Sequence, residues 1–168
     1  MIKKVVIIGA GNVATHLSKA IKNAGFEILQ IVSRTAESAR ILGTLLDVPY
    51  TCNPTEISTE ADLYIVSVKD DAIATALSTF TLPKDAFVVH TAGSVPMEIL
   101  KEFSSNIGIL YPLQTFSKAK DVNFKEIPVY IEANTRENTN ELLQFANTFS
   151  DRAKEVKAIV DSIIALAV

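Results

Sequence analysis

Residues 4–14 read KVVIIGAGNVA, an apolar run, a glycine-rich turn and the start of a helical pattern. That succession of strand, turn and helix cradles a pyrophosphate. Gly9 permits the tight turn, and Gly11 lets backbone N–H groups approach the phosphates because no Cβ intervenes. Small Ala14 lets the helix lie close to the strand, and the helix N-terminus adds the positive end of its dipole. The string GxGxxA is weak evidence alone, but a dinucleotide-binding fold begins with this unit and here it stands at the N-terminus.

Outward from the turn, apolar runs alternate with helical patterns, as a parallel sheet covered on both faces requires. Strands are expected at residues 4–8, 27–32, near 50–52, and at 63–68, 87–90, 107–111 and 129–132. Val13, Ala14, Leu17, Ala20, Ile21 and Ala24 mark one face of a first helix that stops at Gly25. Further helices are expected over 35–46, 71–80 and 96–103, the last with Pro96 in its first turn. Asn134 with Glu137 three residues on reads as the cap of a helix running to Phe149. The expected fold is α/β, a doubly wound, mainly parallel sheet with helices on both faces.

Near the C-terminus, Val156, Ile159, Val160, Ile163, Ile164 and Ala167 form an apolar stripe at helical spacing. The expected division is therefore a dinucleotide-binding domain over 1–152 and an amphipathic helix over 153–168. That helix either packs on its own sheet, pairs with a second copy in a homodimer, or opens a further domain.

The 168 residues suit one buried core. With 48% hydrophobic residues, 21% charged and a net charge of −3, the chain reads as globular and offers no basic surface for nucleic acid. Cys52 is the single cysteine, so no internal disulfide forms and a reducing cytoplasm is expected. No stretch approaches the roughly 20 apolar residues of a membrane span. Two distant histidines and one cysteine give no metal-ligand spacing.

The end of the second strand faces the adenine ribose. An acid there would accept from the 2′-hydroxyl, but the segment is Ser33-Arg34-Thr35. Arg34 can pair with a 2′-phosphate while Ser33 and Thr35 donate hydroxyls, which favours NADP; the other reading is a solvated arginine opening a helix. Loops beyond the carboxyl ends of the strands border the nicotinamide. They hold Lys69, Asp70 and Asp71, then His90 to Ser94, then Tyr111. Asp70 or Asp71 fits a helix cap. His90 has the pKa for proton transfer near neutrality and also fits a structural donor. Lys69 and Tyr111 are the other candidates for proton transfer. His16 is expected to be structural or exposed.

Taken together, GAGNVATHL at 9–17, SRT at 33–35, VKDDAI at 68–73, HTAGSVPMEIL at 90–100 and GILYPLQTFSK at 108–118 resemble a Rossmann-like family. In that family an NADP-binding N-terminal domain precedes an all-helical domain of unknown function. More distantly the chain is similar to pyrroline-5-carboxylate reductase and to deazaflavin-dependent NADP reductases. The resemblance implies cofactor contacts from Gly9, Gly11, Asn12, Val13, Ser33, Arg34 and Lys69, and places His90 to Ser94, with Thr91 and Gly93, beside the nicotinamide. Ala92 stands where many members carry serine, and Tyr111 where many carry histidine. The resemblance implies a helical domain after about Val156, so the expectation is that this chain is the N-terminal part of a longer protein, or a natural or engineered truncation. The resulting expectation is an NADP-dependent oxidoreductase domain moving hydride to or from a small carbonyl or imine. The alternative is a non-catalytic NADP(H)-binding regulatory module.

Overall fold

The apolar runs form a single sheet because they can be buried on both faces. In the computed structural model, which describes residues 1–167, β1 (Lys4–Ile8), β2 (Glu27–Val32), β3 (Tyr50–Thr51), β4 (Leu63–Val66), β5 (Phe87–His90) and β6 (Asn106–Pro112) run parallel. β7 (Val129–Ala133) is antiparallel to β6, and β8 (Ala153–Glu155) is parallel to β7. The strand order is β3-β2-β1-β4-β5-β6-β7-β8. Chain direction across the sheet reverses between β1 and β4, which opens a crevice at their carboxyl ends where ligands of such sheets bind.

Two apolar layers sandwich the strands. On one face α1 (Asn12–Asn23), α2 (Ala36–Leu46) and α4 (Arg136–Asn147) bury Leu17, Ile21, Leu42 and Leu142 against Val5, Ile7 and Ile31. On the other, α3 (Ile73–Leu77) and a 3-10 turn at Met97–Leu100 bury Ile73, Leu77 and Leu100 against Val6, Tyr64 and Val88. Helix α1 ends as its sequence predicts. Gly25, at φ +92°, donates to the Lys22 carbonyl, and Phe26 donates to that of Ile21.

Several elements differ from expectation. The helix expected at 96–103 is only the 3-10 turn, because Ile99, Lys101 and Phe103 each donate to the carbonyl three residues back. The helix expected at 71–80 is a 3-10 turn, Asp70–Ala72, leading into five residues of α3. It stops where the hydroxyls of Ser78 and Thr79 bond back to the carbonyls of Thr75 and Ala76. Helix α4 is capped by Thr135, which accepts from Asn138 N–H, not by Asn134. Asn134 instead accepts from Ile107 N–H and donates to Ser105 O, bracing β6.

Residues 153–155 belong to the sheet as β8, so the segment expected as one helix over 153–168 contains a strand and then α5 (Ile159–Ala167). Val156 precedes that helix and Val168 lies outside the described residues. Ile159 is fully buried, and its N–H donates to Glu132 Oε2 at 2.9 Å. Ile164 and Leu166 stay exposed. Among the described residues no helix is long and apolar enough to cross a membrane.

Candidate active site

The glycine turn sits at the β1–β4 crevice and is knitted to both neighbours. Gly9 N–H donates to Val32 O at 2.7 Å, and Ser67 N–H donates to Ile8 O at 2.7 Å. Gly9 adopts φ +122°, and a Cβ there would lie 2.0 Å from the carbonyl oxygen of Ser67. Only glycine satisfies both conditions. Gly11 is glycine for a different reason. At φ −81° its backbone is ordinary, yet a Cβ there would meet no protein atom within 4 Å. The space it leaves is open to a ligand.

Helix α1 starts at that space with no side-chain cap and no acidic residue in its first turn. Uncapped N–H groups at a helix start, with nothing negative beside them, favour an anion. Asn12 and Val13 lie in this turn, and Ala14 is fully buried against the sheet. The residues present therefore fit the pyrophosphate of a dinucleotide. Ser33, Arg34 and Thr35 follow β2 next to the turn, Ser33 held by its N–H on Thr51 O and Thr35 capping α2. Arg34 is exposed. It takes no part in the ion pairs of the described residues, which are Met1–Glu141, Glu37–Arg40, Lys125–Asp151 and Arg136–Glu155.

At the other end of the crevice, Lys69 is exposed and opens the Asp70–Ala72 turn. Neither Asp70 nor Asp71 caps α3 through its side chain. Asp70 instead accepts from Ser94 Oγ, tying the loop after β4 to the loop after β5. Thr91 Oγ1 donates to Ser67 Oγ at 3.1 Å and makes a second tie. Tyr111 is half-buried with its ring against Gly93, where a Cβ would lie 2.6 Å from Cζ. Burial first, then the negative charge of Asp70 and the neighbouring Tyr130, raises the phenol pKa above its ordinary value.

His90 lies away from solvent. It is fully buried, and Ala92 N–H donates to Nδ1 at 3.2 Å. That bond needs the Nδ1 lone pair, which puts the ring proton on Nε2, facing Pro96 O at 3.5 Å. Desolvation lowers its pKa, with only partial compensation from the Pro96 carbonyl and Asp70. With both nitrogens turned to backbone, His90 is a neutral strut shaping the 91–96 loop. His16 is also structural. It is buried, with Nε2 2.8 Å from Ser117 O. Among the described residues no three His, Cys, Asp or Glu side chains cluster as a metal site.

Residues 4–93 match the family described as NADP oxidoreductase, coenzyme F420-dependent. The chain belongs to this family. A protein of Bacteroides fragilis, described provisionally as an NADP oxidoreductase, superposes with a TM-score of 0.91 at 42% identity, over 98% of this chain and 64% of its own. The chain thus spans less than two thirds of that relative's length. The same fold recurs in 1-pyrroline-5-carboxylate reductase of Streptococcus pyogenes, with a TM-score of 0.78 at 18% identity over 97% of this chain and 62% of that one. It recurs too in prephenate dehydrogenase of A. aeolicus, solved with hydroxyphenyl propionate and NAD+, with a TM-score of 0.73 at 13% identity over 98% and 63%. No curated protein matches the sequence. The chain therefore carries the Rossmann-like dinucleotide-binding domain of an oxidoreductase family.

Proposed function

We propose that this chain is an NADP-dependent oxidoreductase domain that moves hydride between nicotinamide and a small carbonyl or imine substrate. The observation that carries the reading is the layout of one crevice. An open, uncapped glycine cradle follows β1, an exposed arginine follows β2 on one side, and on the other the loops after β4 and β5 carry Lys69 and the Gly93 against which Tyr111 packs. A bound nicotinamide supplies the hydride, and the protein orients it and manages the proton.

Arg34 supports NADP over NAD because its guanidinium can hold a 2′-phosphate that NAD lacks. Hydride arriving at a carbonyl or imine carbon leaves a basic oxygen or nitrogen, which takes a proton. Tyr111 is the group best suited to give it. A phenol is protonated at neutral pH and has an O–H to donate, and this ring is fixed against Gly93. Lys69, exposed on the loop after β4, is the second candidate, and Thr91 ties that loop to the one after β5 through Ser67. His90 holds the loop after β5 in place and transfers no proton to substrate.

Following NADPH oxidation with small ketones, aldehydes and cyclic imines tests the proposal. Turnover is expected with one of these classes, and Tyr111→Phe should lower kcat while leaving NADPH affinity unchanged. Binding of NADPH without turnover, in a protein that includes the remaining length of its relatives, would favour the regulatory module instead.

A further inference from the structure

The loop that follows β6 returns across the glycine turn. Phe116 is buried and stacks on the His16 ring at 5.4 Å, and on Phe124 at 5.9 Å. His16 then holds Ser117 O, so two successive residues of the loop are pinned to the second turn of α1. One residue further, Lys118 Nζ donates to Ala10 O at 2.8 Å. Ala10 stands between Gly9 and Gly11. A residue 108 positions away thus brings an ammonium to the turn where Gly11 leaves space for a ligand.

We propose that Lys118 is a ligand of the dinucleotide's pyrophosphate, delivered by a loop that His16 and Phe116 fix in place. The proposal rests on the dinucleotide reading above and adds to it the charge that reading lacks. The helix start offers N–H dipoles, whereas a diphosphate carries full negative charges. An ammonium has three donors and Ala10 O accepts one, which leaves two for phosphate oxygens. Lys118 belongs to none of the ion pairs of the described residues, so no carboxylate competes for it. The two cations then divide the cofactor. Arg34, beyond β2, reads the 2′-phosphate that only NADP has, and Lys118 holds the diphosphate shared by NADP and NAD.

Dissociation constants for NADPH, NADH and ADP-ribose, measured by calorimetry on the wild type, Lys118→Met and Lys118→Arg, test this assignment. Lys118→Met should weaken all three by a similar factor, about ten- to a hundredfold. Lys118→Arg should recover part of the loss, and raised salt should narrow the gap between wild type and Lys118→Met. Unchanged affinities in Lys118→Met overturn the proposal while the dinucleotide site stands. A loss confined to NADPH also overturns it, because Lys118 would then read the 2′-phosphate. A loss equal in both variants, with a lowered melting temperature, would make the Ala10 bond purely structural and overturn it too. If the wild type binds none of the three, the dinucleotide reading fails first and this inference falls with it.

Discussion

The ring of Tyr111 occupies the space a side chain at residue 93 would need, a Cβ on Gly93 falling 2.6–2.9 Å from three of its carbons. Gly93 is therefore glycine so that the phenol ring can pack against the loop that carries it. Gly93→Ala should displace the ring, destabilise the fold by about 1–3 kcal/mol, and reduce turnover more than NADPH affinity. Chemical unfolding together with a kcat and Kd comparison checks this. Unaltered kcat would detach Tyr111 from the chemistry.

Gly9 and Gly11 should fail in opposite ways. Gly9→Ala meets the Ser67 carbonyl at 2.0 Å in a backbone conformation with φ +122°. It should cost about 2–6 kcal/mol, a large part of a typical domain's stability. Gly11→Ala meets nothing within 4 Å at φ −81° and should melt like the wild type. Its methyl group enters the cradle, so NADPH binding should be lost while folding is kept. Thermal melts and titrations of the two variants would show the contrast, and equal melting losses in both would refute it.

Stability should fall in mild acid because of His90. Its folded-state pKa is held below the ordinary 6.5 by burial, so the unfolded chain binds the proton more readily. The contribution is complete above about pH 6.5 and is lost as pH falls through the depressed value. Melting temperatures recorded downward from pH 7.5 should decline below that point. In His90→Asn the baseline should be lower and this component of the slope absent. An identical slope in the variant would assign the acid sensitivity elsewhere.

Helix α5 leaves Ile164 55% and Leu166 72% exposed while Ile159 is buried on the sheet. A homodimer through this helix is our proposal for what covers those side chains. Sedimentation should show a dimer for the wild type and a monomer for the Ile164→Lys, Leu166→Lys double variant. Identical sedimentation of the two would refute the dimer.

The first strand, turn and helix were legible because local rules and the global fold agree there: an apolar strand, two glycines with distinct steric duties, and a Gly25 stop. β5 matches its expected bounds for the same reason, being four apolar-to-neutral residues buried on both faces. Legibility failed where partners distant in sequence decide. β8 is a three-residue edge strand with alternating burial, too short to show a pattern. Asp70 looked like a helix cap because its partner, Ser94, is 24 residues away. His90 drew attention by its chemistry, while its burial and its bonds to Ala92 and Pro96 depend on the sheet around it. Lys118 stood inside a recognisable motif, yet only folding shows it reaching Ala10.

We propose that the crevice holds NADP through the cradle at Gly11 and the arginine beyond β2. Fluorescence titration of NADPH and NADH into the wild type and Arg34→Ala tests it most directly. The wild type should prefer NADPH, and Arg34→Ala should weaken NADPH binding by about ten- to a hundredfold with NADH affinity nearly unchanged. Failure of the wild type to bind NADPH, or equal effects of the substitution on both cofactors, would contradict it.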